Sequence, residues 1–275
     1  MTPLQETETG IGSDPDDAST WTIIRSRRRR RRPPPPPPPP PLPSPPATTQ
    51  TRISSRSATD LAAEHDRLRS SWNQTSCCAA LRRIVASSAC RVERALCLGL
   101  GSFDAQIGGG GWEARRSSFL QLVAFAVMVE ELEKIAGSPI PCIFQEPLFT
   151  PADRHFLSSL GYQVVETPDA CAHISRHSFI FGIHLYRPVY AMVLGQYLPA
   201  LFVGTGWSVW ESVSLSESPD LNNLKIMHQS YAKAAFPQDP SSTAFSSTTI
   251  YWRSPTNDMV APTDQKRHPA GFQDT

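Results

Sequence analysis

Short apolar runs alternate with longer amphipathic segments from residue 58 onward. Runs of four or five residues bounded by glycine or proline are typical of buried strands, whereas apolar positions three or four residues apart predict helices. The predicted strands are 95–99, 142–145, 162–165, 178–182, 200–203 and a last one at 249–252. The predicted helices are one or two over 58–88, then 118–135, 150–160, 187–198 and a short one over 224–235. This alternation predicts an α/β fold: a single Rossmann-like domain with a mostly parallel sheet of about five strands and helices on both faces.

Two of the helix starts have recognisable capping sequences. Ser118-Phe-Leu-Gln121 fits a capping box, which places the start of its helix after a loop over 103–117 with a flexible centre at Gly108–Gly111. Thr150-Pro-Ala-Asp153 combines a threonine cap, an early proline and an acid at the third position. Gly161 is expected to end that second helix.

The composition changes at both ends of this pattern. Residues 1–57 are polar and poor in aliphatic side chains, and 12 of the 27 prolines lie within 33–46, nine of them consecutive. Such a segment buries too little apolar surface to fold, although consecutive prolines favour a polyproline II rod. We therefore predict a disordered N-terminal arm, an α/β domain over 58–253 and a disordered tail over 254–275.

The arm contains a candidate interaction segment. Arginines directly before a proline run resemble ligands of SH3, WW or profilin-type grooves, so Arg27–Pro46 is a candidate for binding protein partners. A stiff spacer is the alternative, because low-complexity proline matches such motifs trivially. The basic run, Arg25 with Arg27–Arg32, suits a nuclear import signal, a non-specific anionic contact or a solvated charge block.

Charge, cysteine usage and hydropathy exclude several classes of protein. Seven of the 26 basic and five of the 25 acidic residues lie in the first 32 positions, so 19 and 20 remain for the rest of the chain. A nearly neutral body gives no electrostatic case for a nucleic-acid partner of the folded domain. No cysteines form a CxxC pair, the N-terminus lacks a signal-peptide pattern, and the apolar stretch Phe119–Val129 is shorter than the ~20 residues of a membrane span. We predict an intracellular protein, cytoplasmic, nuclear or both, with no membrane partner.

The first predicted strand ends in a glycine turn that leads towards a helix. Gly99 and Gly101 stand where the backbone of an α/β fold approaches a ligand at the carboxyl end of a strand. Glu146 ends the second strand, where dinucleotide-binding folds use an acid to accept ribose hydrogen bonds. The motif lacks the third glycine of GxGxxG, and Glu146 follows Gly99 by 47 residues rather than ~20. A tight structural turn with a capping acid is the alternative to a nucleotide or S-adenosylmethionine-like site.

Other polar residues fall at the same edge. His184 ends the fourth strand, where it could act as a general base, bind a metal or hydrogen-bond a loop. The candidate ligand-binding residues at this edge are Gly99, Gly101, Ser102, Glu146, His184 and Thr205.

Two further patterns do not amount to a catalytic or metal site. Cys171, His173 and His177 offer three potential zinc ligands with no second pair. Gly206-Trp-Ser-Val-Trp210 is similar to a nucleophile elbow, but Trp210 occupies a position that needs a small residue. We predict no catalytic residue and no metal ligand, and the sequence does not specify a cofactor.

Five separated blocks of this sequence are similar to those of a known family and follow the same order. The blocks are Leu98-Gly-Leu-Gly-Ser102, Glu146-Pro-Leu-Phe-Thr150 with Asp153, Phe179-Ile-Phe-Gly-Ile-His184 with Tyr190, Gly204-Thr-Gly-Trp207, and Phe245-Ser-Ser-Thr-Thr-Ile-Tyr-Trp252. Through them, roughly residues 58–253 resemble the Sensitivity-to-Red-light-Reduced family, the SRR-like domain, in a fungal-type form.

Two single residues and two short runs depart from the family pattern. Glu146 stands where the family usually has aspartate, and Gly182-Ile-His-Leu185 where it has Met-Pro-His-Cys. Gly204-Thr-Gly-Trp207 replaces Gly-Asn-Ser-Phe, and Tyr251 replaces a histidine. A family site that depends on that asparagine or that histidine would lack its side chain here.

The resemblance implies a regulatory role without a settled enzymatic activity. Plant members act in red-light signalling and clock function, fungal members in cytoskeletal or stress-related processes, and animal members are tied to haem metabolism. The leading hypothesis is a non-catalytic intracellular regulator whose arm recruits partners. The alternatives are an enzyme or sensor for a nucleotide or S-adenosylmethionine-like molecule, and an adaptor in which only the arm matters.

Overall fold

The computed structural model of the protein describes residues 55–104, 111–213 and 219–254. The predicted arm as far as residue 54, the glycine-rich loop from 105 to 110 and the tail from 255 lie outside these residues. The helices in the described part are α1 (Ala58–Trp72), α2 (Ser76–Ser88), α3 (Gly111–Ala136), α4 (Pro151–Ser159), α5 (Arg187–Leu194), α6 (Trp207–Val213) and α7 (Asn222–Ser230). The strands are β1 (Arg94–Leu98), β2 (Cys142–Gln145), β3 (Gln163–Val164), β4 (Ser178–Gly182), β5 (Leu201–Thr205), β6 (Ala232–Ala235) and β7 (Thr248–Trp252). Two 3₁₀ helices, Asp169–His173 and Pro219–Leu221, complete the elements.

All the described strands form one sheet in the order β3-β2-β1-β4-β5-β7-β6. β1 pairs in parallel with β2 and β4, and the parallel pairing extends outward to β3 and β5. β7 is antiparallel to both β5 and β6. The chain order reverses between β1 and β4, which is the switch point where open α/β sheets leave a crevice at the carboxyl ends of their strands. The predicted α/β class is confirmed, and the described residues form seven strands where the sequence indicated about five.

The helices cover both faces of the sheet, as predicted. Ala95 and Cys97 of β1 pack into a core that includes side chains of α1 to α4, whereas Leu96 and Leu98 pack into a second core with side chains of α5 to α7. Alternation along a strand sends successive side chains to opposite faces, and β1 is buried on both. Its continuous apolar run follows from this central position.

The predicted start of α3 at Ser118 is wrong. α3 begins at Gly111, so residues 111–117 of the predicted loop over 103–117 are helical. Ser118 lies inside the helix, and its hydroxyl donates to the Ala114 carbonyl oxygen (3.1 Å) rather than capping a helix end. No helix-breaking residue stands between Gly111 and Ser118, so the helix continues through them. The predicted start of α4 is confirmed, because the Thr150 hydroxyl accepts from the Asp153 amide and the Asp153 carboxylate accepts from the Thr150 amide.

The last predicted helix, over 224–235, is also wrong in its second half. α7 ends at Ser230, and Ala232–Ala235 forms the edge strand β6. Pairing with β7, with Lys233 opposite Tyr251, overrides the helical propensity of an Ala-Lys-Ala-Ala run. Helix α5 likewise ends at Leu194, four residues before the predicted end.

The structure also bears on the membrane question. No helix within the described residues is long and apolar enough to cross a bilayer.

Candidate functional site

The glycine turn after β1 lies at the switch point of the sheet. Gly99 and Gly101 have φ of +68° and +78°, a left-handed conformation that glycine adopts without strain. A Cβ on Gly99 would lie 2.0 Å from Leu185 Cδ2, and one on Gly182, at the end of β4, would lie 2.6 Å from Leu185 Cδ1. The two strand ends that border the crevice are therefore glycines because the side chain of Leu185 packs against both.

The carboxylate of Glu146 ties this turn to the end of β2. Glu146 is 6% exposed, its Oε2 accepts a hydrogen bond from the Gly101 amide (3.0 Å) and its Oε1 accepts one from the Leu148 amide (2.8 Å). Both oxygens thus bind backbone donors of the protein. This arrangement is the capping acid that the sequence left open as the alternative to a ribose ligand.

Ser102 is fixed by a second buried carboxylate. Its hydroxyl donates to Asp153 Oδ2 (2.8 Å) and accepts from the Asp104 amide (3.1 Å). Asp153 is fully buried and also accepts from the amides of Phe103 (3.3 Å) and Thr150 (2.8 Å). The capping sequence predicted the bond to Thr150, but no sequence signal indicated that the same carboxylate holds the loop after β1.

Thr205 lies at the end of β5 and is joined to β4 through a buried tyrosine. The Tyr190 hydroxyl donates to the Gly182 carbonyl (2.6 Å), accepts from the Thr205 amide (2.9 Å) and lies 3.2 Å from Thr205 Oγ1. Burial raises the pKa of Tyr190, so the phenol stays neutral and able to donate. The Tyr190 hydroxyl therefore joins the ends of the neighbouring strands β4 and β5 by hydrogen bonds.

His184 is the most accessible of the candidate residues. It follows β4 with φ of +55°, an uncommon backbone conformation for a residue other than glycine. Its Nε2 lies 2.7 Å from the Ser246 carbonyl oxygen, and because a carbonyl can only accept, Nε2 carries the proton. In the neutral ring, Nδ1 is then a proton acceptor at the carboxyl edge.

The six candidate residues all lie at one edge, and a hydrogen bond joins two of them, Gly101 and Glu146. Asp153 holds Ser102, while Leu185 packs against Gly99, Tyr190 binds Thr205 and Ser246 binds His184. Among the described residues there is no group of three or more histidine, cysteine, aspartate or glutamate side chains placed to hold a metal ion. Chemically, the edge is a network of backbone-binding side chains with one accessible imidazole.

A family model, described as the SRR1 domain, matches residues 66–252. The chain belongs to the SRR1 domain family. A search of curated proteins found no match. Among solved structures, the SAH-bound methyltransferase PaMTH1 of Podospora anserina is similar at 12% sequence identity with a TM-score of 0.36, over 71% of this chain and 88% of that chain.

Leu185 and Tyr251 each make contacts that join neighbouring elements. The side chain of Leu185 packs against Gly99 after β1 and against Gly182 at the end of β4. The Tyr251 hydroxyl accepts from the Trp207 amide (3.0 Å) and lies 3.1 Å from His228 Nδ1. Since the phenol oxygen accepts from the amide, its own proton is available to the imidazole. Leu185 therefore has a packing role in this chain, and Tyr251 contacts residues of both α6 and α7.

Proposed function

We propose that this SRR1 domain protein is a non-catalytic intracellular regulator that acts through protein partners. The observation that supports this is that the polar groups at the carboxyl edge form hydrogen bonds with other groups of the same chain. Glu146 and Asp153 bind backbone amides, and Tyr190 bridges two strand ends. A catalytic site needs polar groups that are placed to act on a substrate, and these groups instead hold loops together.

The partner-binding element of this proposal is the segment Arg27–Pro46, which lies outside the described residues. Its sequence supports the assignment, because a basic run precedes nine consecutive prolines. Polyproline II helices dock into aromatic-lined grooves at low entropic cost, since their conformation is already extended. The proposed partners are SH3, WW or profilin-type domains of the cytoplasm or nucleus.

The test is a titration of the full chain with a purified SH3 domain, a WW domain and profilin by isothermal titration calorimetry. The matched control replaces Pro33–Pro41 with nine alternating glycine and serine residues and keeps Arg27–Arg32 unchanged. We expect at least one domain to bind the natural chain and to lose that binding in the control. Binding by none of the three, or equal binding to both chains, would contradict the proposed role of the segment.

The strand order favours a second candidate, a nucleotide or S-adenosylmethionine-like ligand at the carboxyl edge. The reversal between β1 and β4 is where such sheets bind ligands, and the turn after β1 has two glycines with positive φ. The proposed site would comprise Gly99, Gly101, Ser102, Glu146, His184 and Thr205. Leu185 stands against it, because its side chain packs against both glycines that border the crevice.

Thermal unfolding of the full chain with nucleotides, NAD, S-adenosylmethionine and haem separates the two candidates. A ligand at ~100 times its dissociation constant adds about 2.7 kcal/mol to the free energy of unfolding. The regulator proposal expects no shift of the midpoint with any of them. A shift in the natural chain that Glu146→Gln removes would favour the ligand site, and a shift that appears only in Leu185→Ala would show that this leucine alone closes it.

A further inference from the structure

A cavity of about 520 Å³ lies at the edge of the sheet opposite the candidate site, beside the start of β2 and the end of α4. Its volume is within the range of roughly 300–1,000 Å³ that small-molecule sites occupy. Its apolar wall includes Ala126, Val129, Ile140 and Leu160, and its polar side chains are His65, Arg69, Glu130, Glu133 and Tyr162.

His65 contributes an unsatisfied acceptor to this region. The side chain is 2% exposed, and its Nδ1 lies 3.3 Å from Asp66 Oδ1. A carboxylate only accepts, so Nδ1 carries the proton and Nε2 keeps a lone pair in the neutral ring. Burial lowers the pKa of His65, which favours that neutral form. Nε2 has no hydrogen-bond partner among the described residues, and a buried polar atom without a partner is costly.

Two other polar groups of the cavity have bonding capacity to spare. Glu133 Oε1 accepts from the Ile140 amide (2.9 Å), while its second oxygen makes no hydrogen bond within the described part of the chain. Burial raises the pKa of Tyr162, so the phenol stays a neutral hydroxyl at any ordinary pH. Tyr162 stacks on Phe144, with ring centroids 4.8 Å apart, which fixes the ring that lines the cavity.

The remaining charges of the cavity are already paired. Arg69 donates to Glu130 (2.6 Å), which also accepts from Arg82 (2.8 Å). With these charges matched, Glu133 is left as the negative charge that faces the cavity without a cationic partner in the described residues. A carboxylate beside an apolar wall selects a cation that carries hydrogen-bond donors and an apolar body.

We propose that this cavity binds a small primary amine whose ammonium group donates to Glu133 and whose apolar body packs against Val129, Ile140 and Leu160. The Tyr162 hydroxyl supplies a further acceptor for the same ammonium group or for a hydroxyl of the ligand. The site is separate from the carboxyl edge, and its occupant is independent of any ligand or partner there.

The experiment uses the full chain and three probes of the same shape: 2-phenylethylamine, the neutral 2-phenylethanol and the anion 3-phenylpropanoate. We expect calorimetry to show binding of the amine, with the alcohol about tenfold weaker or more and the anion unbound. Glu133→Gln, which keeps an oxygen for the Ile140 amide, should weaken the amine about tenfold. Glu93→Gln, at an exposed carboxylate outside the cavity, should leave amine binding unchanged.

A second variant guards against a folding defect in the first. Leu160→Trp fills the cavity from a partly exposed position and should abolish amine binding while the far-ultraviolet circular dichroism stays native. Absence of binding at millimolar amine, equal binding of all three probes, or equal effects of Glu133→Gln and Glu93→Gln would overturn the proposal.

Discussion

Asp153 is the residue whose removal best tests the interpretation of the carboxyl edge. Its buried carboxylate accepts from the Ser102 hydroxyl, the Phe103 amide and the Thr150 amide, so it joins the loop after β1 to the start of α4. If the edge is a structural network, the loss of this carboxylate must destabilise the whole domain. We therefore predict a large loss of stability for Asp153→Ala.

The magnitude follows from the three contacts. Hydrogen bonds to charged groups contribute about 1.5–3 kcal/mol each, but such values do not add fully. The Phe103 contact is long at 3.3 Å, and the Ser102 hydroxyl can rotate towards another acceptor, so the Thr150 amide is the donor that is left without a partner. We expect Asp153→Ala to lower the free energy of unfolding by about 3–5 kcal/mol, a large part of the roughly 5–15 kcal/mol of an ordinary domain.

Asp153→Asn provides a graded comparison. The amide keeps one oxygen, which can serve the two short contacts now made by Oδ2, and places a donor against the Phe103 amide. We expect it to cost about 1–3 kcal/mol, less than the alanine variant. Asp169→Ala, at an exposed aspartate, is the control and should change stability by less than about 0.5 kcal/mol.

The assay is urea unfolding of the full chain, followed by tryptophan fluorescence and far-ultraviolet circular dichroism. The slope of the free energy against urea should stay constant across the variants, since the same surface is exposed on unfolding. A cost below about 1 kcal/mol for Asp153→Ala would refute the reasoning. Equal costs for Asp153→Asn and Asp153→Ala would refute the assignment of the retained oxygen.

Three further predictions concern thiols, pH and surface charge. At pH ~8 a thiol reagent should label the partly exposed Cys171 before the buried Cys97. Burial raises the pKa of Cys97 and also shields its thiol from the reagent. Mass spectrometry of the labelled protein checks this, and early labelling of Cys97 would contradict it. The lowered pKa of His65 means that the folded state binds fewer protons than the unfolded chain. Stability should therefore be full above pH ~6.5 and fall as the pH drops through the folded pKa, with a flatter profile in His65→Gln urea titrations. Arg187 makes a two-bond ion pair with Asp220 at the surface, so Arg187→Gln should shift the urea midpoint little, and the shift should vanish in high salt.

The strands of the central sheet could be predicted because each is a short apolar run with a clear boundary. β1, β2, β4 and β5 are buried on both faces, and such strands need no alternation to be recognised. β6 could not, because Ala232–Ala235 has helical propensity and becomes a strand only by pairing with β7. The pairing with β7, rather than the helical propensity of the segment, makes β6 a strand. The sequence of residues 232–235 does not indicate that pairing.

For the candidate site too, the sequence predicted where each side chain lies but not the distant residue that it contacts. Sequence order alone placed Glu146 and His184 at the carboxyl edge, because parallel strands end at a common edge. Their partners could not be read from the sequence, since Gly101 lies 45 positions from Glu146 and Ser246 lies 62 positions from His184. Spacing predicted where the side chains are, and only the fold shows that they bind the protein's own backbone.

Leu185 provides a structural reason for the glycines at the switch point, and this reason does not involve a ligand. A glycine at a strand end indicates that some group approaches the backbone too closely for a Cβ, but it does not indicate which group. At Gly99 and Gly182 that group is the side chain of Leu185, which is 9% exposed and in contact distance of both positions. A ligand-binding turn favours glycine because the ligand approaches the backbone closely. Here the side chain of Leu185, a residue of the same chain, makes that close approach. A glycine turn after β1 is consequently consistent with a closed, structural crevice, and opening it with Leu185→Ala is the direct way to learn whether the remaining surface can hold a ligand.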